Sequence, residues 1–373
     1  MKILNVHHSV NPAQGGTLEA TRQIGTILRA MGHEVEWASM DPPDAAWVRD
    51  FSLPLHTLGD RSADGYGRAP RFIPWLREHR RNYDAVVVHG LWQYPGFATR
   101  RALHGSDTPY FVMPHGMLDP WFKQAYPLKH FKKSIYWLLA EHAVLRDARA
   151  VIFTCEEERL LAQGTFWPYR IREKVAPLGT SVPEGEPAAW REAFYQRYPG
   201  LRGRRMLLFL SRLHPKKGCD LLIRAFAKAG GPLSLVIVGP EEDVNHAREL
   251  RMQTEGLSVF FVGMLSGELK WGALAAAEVF ALPSHQENFG MAVVESLAVG
   301  TPVLISNKVN IWREIETDGA GFVEPDHTAG TTRLLQRWLE ADHESMRAAA
   351  RGCFAARFDI RKTAENMLSV LQS

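Results

Sequence analysis

Residues 206–218 read MLLFLSRLHPKKG, and the break inside that string decides the fold. The first five positions are all apolar, without alternation, which is the pattern of a strand buried on both faces of a parallel sheet. From Ser211 to Gly218 the composition changes to that of a loop leaving such a strand. AVVVH at 85–89 and SLVIVG at 234–239 read the same way. Working outward from them, apolar runs of strand length recur at 2–6, 35–38, 85–88, 110–113 and 151–154, then at 206–210, 233–238, 259–262, 279–282 and 302–305. A longer segment with helical spacing follows each run. Strands interleaved with helices imply α/β architecture, and two such series in one chain predict two Rossmann-like, doubly wound parallel-sheet domains.

Between the series, residues 176–205 are rich in Pro, Gly and charge and keep no apolar period, which places the boundary there. The expected layout is an N-terminal domain over 1–180, a linker over 181–203, a C-terminal domain over 204–355 and a terminal segment over 356–373. A length of 373 residues fits two domains of about 100 to 200 residues each. With 46% hydrophobic and 23% charged residues the chain has a globular composition, not a disordered one. Lys and Arg number 44 against 41 Asp and Glu, too even for a generic nucleic-acid coat, so nucleic acid is not an expected partner. Cys155, Cys219 and Cys353 are far apart with no CxxC pair, which argues against a disulfide framework or thiolate zinc site and for a reducing compartment. No window nears the roughly 18 consecutive apolar residues of a membrane span, and MKILNVHHSV reads as a first strand, not a signal peptide. A cytoplasmic protein is expected, with peripheral attachment to the inner membrane face left open.

Open α/β sheets bind ligands beyond the carboxyl ends of their strands, so the residues just after each run matter most. After the first strand come Gly15 and Gly16, a turn that lets backbone N–H groups approach an anion at a helix start. It is not GxGxxG, which disfavours a nicotinamide dehydrogenase. After the fourth come His115 and Gly116: the imidazole either meets a bound hydroxyl or merely bonds backbone, and Asp119 reads as the cap of the next helix. Arg212, Lys216 and Lys217 leave the 206–210 strand, and an Arg fork beside Lys point charges suits a diphosphate. The segment PSHQENFGMAVVESLA at 283–298 places Glu287 in a loop and Glu295 on the helix that Gly290 and Met291 begin. Such a loop offers N–H donors to phosphate or sugar oxygens, while carboxylates accept from vicinal hydroxyls.

Together these segments resemble the retaining glycosyltransferases of family 4. Glu287 to Glu295 is similar to that family's E-x7-E signature in its E-x-F-G form. Arg212 and Lys217 match its G-R-L-x-x-x-K-G diphosphate pattern, with Ser211 where Gly is commoner. Gly15-Gly16 resembles its N-terminal glycine loop, and PHGMLDPW the segment carrying the active-site His of its bacterial polysaccharide members. The resemblance implies the GT-B fold, two such domains facing a cleft, with helix 360–371 crossing back to the first domain. It further implies a UDP- or GDP-sugar donor: Glu295 on the ribose, Arg212 and Lys217 on the diphosphate, and Glu287 with the backbone of Asn288, Phe289 and Gly290 on the sugar. Met291, which opens the helix at that loop, would belong to the same donor-binding set. His115 would lie by the sugar, Gly15 and Gly16 by the phosphate, and Met264 and Leu265 by the base.

The implied reaction is retaining hexosyl transfer to a saccharide or lipid-linked acceptor in cell-surface polysaccharide synthesis. The charge growing on the departing diphosphate falls to Arg212, Lys217 and the helix N-terminus; with no Asp-x-Asp pair in the chain, no metal and no other cofactor is expected. Retention by same-face departure and attack is favoured, because no spare carboxylate is evident beside His115. Residues 120–149 carry six Lys or Arg against two acids among interleaved aromatics, which suits either an anionic membrane surface or an amphipathic helix packed on its domain. The alternative functions are a GT-B-like nucleotide-sugar epimerase and a non-catalytic nucleotide-sugar-binding module.

Overall fold

The computed structural model describes residues 1–60 and 65–373. The chain forms two compact units, Met1–Gly179 with Ile360–Ser373, and Thr180–Asp359.

The first unit is built on seven parallel strands: β1 (Lys2–His7), β2 (Glu34–Ser39), β3 (Leu55–Thr57), β4 (Ala85–His89), β5 (Tyr110–Met113), β6 (Ala150–Phe153) and β7 (Glu173–Val175). Their order is β3-β2-β1-β4-β5-β6-β7, with Asn5 in register between Trp37 and Val87. Ile3, Leu4, Val86, Val88, Val112 and Ile152 are buried, which is why the central runs are apolar on both faces. Helix Gly16–Ala30 covers one face through Leu18, Ile24 and Leu28. The last helix, Ile360–Gln372, packs beside it, so the end of the chain completes the first unit. Met367 and Leu371 close a cavity of about 20 Å³ that is also lined by Asn5, Thr21 and His89, room for a single water.

The second unit holds β8 (Arg205–Leu210), β9 (Leu233–Val238), β10 (Val259–Gly263), β11 (Val279–Leu282), β12 (Val303–Ser306) and β13 (Gly321–Glu324), parallel in the order β10-β9-β8-β11-β12-β13. In both sheets the chain proceeds outward one way from its first strand and then returns to build the other way. The order therefore reverses between β1 and β4, and between β8 and β11, and such reversals open a crevice at the carboxyl ends.

Two features differ from the sequence expectation. Residues 181–203 are not a free linker: helix Pro187–Arg197 buries Trp190 and Phe194 against helix Gly267–Ala276. The approach is close, since a Cβ on Gly272 would lie 2.2 Å from the Trp190 carbonyl oxygen. Only two large apolar side chains, one turn apart, carry that packing, too few to show as a period. The terminal crossing comes after Asp359 instead of at 356, because Phe354 and Phe358 are buried with the second unit.

Candidate active site

In the first unit three imidazoles gather where the strand order reverses. His7 ends β1 and His89 ends β4, their rings stacked at 4.1 Å; the His115 ring follows at 5.3 Å. The Nε2 of His89 lies 2.9 Å from Asn5 Oδ1, and its Nδ1 lies 3.0 Å from His115 Nε2. With the amide oriented this way, His89 carries its proton on Nε2 and accepts at Nδ1, so His115 donates from Nε2. The Nδ1 of His115 is then a lone-pair acceptor, and it is buried without a hydrogen-bond partner. Burial depresses all three: His7 to about 3, His115 to about 4, and His89 well below the usual imidazole value. The cluster is neutral at physiological pH.

The backbone at His115 is itself unusual, with φ of 52°, a left-handed conformation that a non-glycine residue adopts only when its surroundings enforce it. Glu158 supplies the restraint. Its buried carboxylate accepts the Gly116 N–H at 2.5 Å with one oxygen, and the Thr154 N–H and hydroxyl at 2.6 and 2.7 Å with the other. Asp119 accepts from the Trp121 N–H at 2.8 Å, but helix Trp121–Ala125 is capped at Pro120 with no side-chain bond, so Asp119 stands one residue ahead of the cap position expected for it. Gly15 and Gly16 are exposed at the start of helix Gly16–Ala30, whose N-terminus has no side-chain cap.

In the second unit the motif residues converge at the other reversal. Lys217, from the loop after β8, is buried and its Nζ is hydrogen-bonded to Glu287 Oε2, from the loop after β11. Backbone ties hold the two loops together: the His285 N–H and Ser284 hydroxyl both donate to the Lys216 carbonyl, at 2.8 and 3.0 Å. Gly218 permits that contact, because at its φ of 68° a Cβ would lie 2.1 Å from the Pro283 carbonyl oxygen. Glu287 is fixed on both sides by backbone, its N–H donating to the Lys308 carbonyl at 2.9 Å and its carbonyl accepting from Asn310 at 3.0 Å. The next turn reaches Gly290, whose φ of 82° starts helix Met291–Ala298 with no side-chain cap. The N-terminal dipole of that helix is therefore available to an anion. Phe289 is buried against Phe358, so its ring is not offered to a ligand and its contribution there is backbone.

Arg212 and Glu295 each have a partner that the sequence did not suggest. Arg212, more than half exposed, reaches Glu242 in the loop after β9 at 3.1 Å. Glu295 pairs with Lys270 of helix Gly267–Ala276 at 2.7 Å. Met264 is exposed and Leu265 half-buried, both following the edge strand β10, whose Gly263 carbonyl ties to the Gly239 N–H at 2.9 Å. The arrangement presents cations, a helix N-terminus and two carboxylates along one sheet edge, the donor and acceptor set that a diphosphate flanked by hydroxyl-rich groups would use. Among the described residues no three His, Cys, Asp or Glu side chains converge as a metal-holding group.

Residues 194–352 match the family model for glycosyl transferases group 1, and residues 15–179 match the glycosyl transferase 4-like domain. The chain is a family 4 glycosyltransferase. GDP-mannose:cellobiosyl-diphosphopolyprenol alpha-mannosyltransferase of Xanthomonas oryzae is 26% identical to this glycosyltransferase, covering 96% of it and 93% of the relative. GDP-mannose-dependent alpha-(1-6)-phosphatidylinositol dimannoside mannosyltransferase of Mycobacterium tuberculosis is also 26% identical, covering 100% and 96%. The crystal structure of Anabaena Alr3699/HepE in complex with UDP covers the glycosyltransferase end to end, and is itself covered fully, at a TM-score of 0.78 and 20% identity. That likeness establishes the GT-B fold.

Asn5, His89, Glu158, Glu242 and Lys270 of the glycosyltransferase escaped the sequence reading. A His ending the buried AVVVH strand and an Asn inside an apolar first strand were signals in plain view. The others had none, since each meets its partner only through the fold.

Proposed function

We propose that this glycosyltransferase moves a hexose, with retention and without a metal ion, from a nucleoside-diphosphate sugar to a saccharide or lipid-linked acceptor in cell-surface polysaccharide synthesis. The observation that carries the reading is the Lys217–Glu287 pair bridging the loops after β8 and β11, with Arg212 on the same edge. Lys217, Arg212 and the N-terminus of helix Met291–Ala298 take up the charge of the leaving diphosphate. Glu295, held by Lys270, accepts from the ribose hydroxyls, and Glu287 accepts from the sugar. Met264 and Leu265 would lie by the base, and Gly15 and Gly16 by the phosphate. His115 of the first unit would lie by the transferred sugar as a neutral imidazole. Retention by same-face departure and attack is supported by the engagement of the nearby acids: Asp119 accepts the Trp121 N–H and Glu158 holds backbone, so neither is offered as a nucleophile.

GDP-mannose is the leading donor, because the two mannosyltransferases described above, matched over nearly their whole length, are named for it. The test is a thermal-shift and turnover panel of GDP-mannose, UDP-glucose and the two nucleoside diphosphates, each with and without EDTA. Stabilisation by GDP and transfer from GDP-mannose that survive EDTA are expected, with Arg212→Ala weakening GDP binding about tenfold. Unchanged GDP binding in Arg212→Ala would remove the diphosphate assignment, and loss of transfer in EDTA would remove metal independence. Recovery of an epimerised donor would favour the epimerase, and binding without turnover the binding module.

A further inference from the structure

Helix Pro127–Tyr136 and the π-helical turn Trp137–Glu141 that extends it have one inward and one outward side. Inward, Trp137 is wholly buried and stacks on Phe166 at 5.0 Å, while His130 stacks on the same ring at 4.7 Å. Outward, Leu128 is 80% exposed, Phe131 66%, Ile135 46%, Leu138 62% and Leu139 80%. Their spacing of i, i+3, i+7, i+10 and i+11 aligns them as one stripe. The other exposed large apolar side chains among the described residues are scattered one or two to an element. Scattered ones need no explanation, but a continuous stripe on a water-soluble surface does.

Charge identifies what the stripe meets. Lys123, Lys129 and Lys132 are exposed around it, and the sequence has no Asp or Glu from 121 to 140. Lys133 alone turns inward, its Nζ 4.6 Å from the centre of the Trp92 ring. A second copy meeting this face through a two-fold axis would bring lysine rows against each other with no acid to offset them. An anionic surface with an apolar interior fits both properties: lysine stems lie along the apolar stripe while their ammonium groups reach the phosphates.

We propose that this face docks on an anionic lipid bilayer, with Leu128, Phe131, Ile135, Leu138 and Leu139 entering the acyl boundary and Lys123, Lys129 and Lys132 in the headgroup layer. The contact is chiefly aliphatic. Of the aromatics on this stretch, Trp137 belongs to the core and Tyr136 is tied to Tyr66 by a 2.6 Å hydroxyl–hydroxyl bond. Docking goes beyond the transfer reading and does not depend on it; where both hold, it brings the first unit to the layer in which a lipid-linked acceptor resides.

The experiment is flotation of the full chain with phosphatidylcholine vesicles, with and without phosphatidylglycerol, at low and high salt. Binding to the anionic vesicles is expected to exceed binding to the neutral ones by about tenfold or more, and to weaken with salt. Lys129→Glu/Lys132→Glu should remove that preference, and Leu128→Glu/Leu139→Glu should abolish binding to both, each with an unchanged thermal unfolding curve. Stabilisation by GDP, measured on the same variants, is expected to persist, so failure of docking and failure of the transfer reading give separate results. Equal binding to both vesicle types, or binding to neither, would overturn the proposal. So would a dimer, seen by sedimentation, that Leu128→Glu/Leu139→Glu dissolves.

Discussion

At the ends of β1 and β4 three imidazoles stack without a charged partner, whereas along the carboxyl edge of the second sheet the corresponding loops hold Lys217–Glu287, Arg212–Glu242 and Lys270–Glu295. Both sheets reverse their strand order at these places, so the backbone supplies the same kind of crevice twice. The difference lies in what fills it. Desolvation keeps the first set neutral. The second set is paired internally, cation to carboxylate, and on the proposed reading a diphosphate would exchange for one of those partners.

The largest consequence is in acid. Histidines whose folded pKa lies below the unfolded value near 6.5 leave the unfolded chain binding more protons as pH falls from 6.5 toward 4. Stability is then lost by about 1.4 kcal/mol per pH unit for each such histidine. Hydrogen exchange across that range is expected to show the first unit opening before the second. Simultaneous opening of both would break the contrast between them.

Next in size is Lys217→Ala, which removes the cation proposed to meet the diphosphate and takes away the partner of the Glu287 carboxylate. Turnover is expected to fall on the order of a hundredfold, measured as steady-state transfer, and a change of less than a few-fold would move the phosphate site elsewhere. Glu242→Gln is the smallest. It frees an exposed guanidinium from its resting partner, so GDP affinity by calorimetry should rise about two- to fivefold at low salt and return to the parent value at high salt.

How far the sequence could be read follows burial. Strands such as β4, β8 and β9 are buried along nearly their whole length and are apolar but for one residue each, His89, Arg205 and Ser234, so their runs declare themselves. β3, β7 and β13 are edge strands of three or four residues, with sequences LHT, EKV and GFVE, and half-buried positions tolerate polar side chains that hide the pattern. The site divides the same way. Arg212, Lys217, Glu287 and His115 lie in the loops that leave strands, and Glu295 on the helix that follows one, so they could be found by position. Asn5 is 84 residues from His89, Glu158 is 42 from Gly116 and Lys270 is 25 from Glu295, so no local spacing could join them.

The chain leaves the first unit after Gly179 and re-enters it at Ile360, and at that crossing Thr180 forms a β-bridge with Asp359 while its N–H donates to the Phe358 carbonyl at 3.1 Å. The second unit is therefore an insertion whose two ends lie side by side. During synthesis helix Gly16–Ala30 emerges early yet must wait for residues 360–372, so the inserted unit has all its residues before the one that began the chain can close. The same geometry makes 180–359 a cassette: exchanging it for the corresponding segment of a relative with a different donor should alter nucleotide preference while leaving the histidine cluster in place.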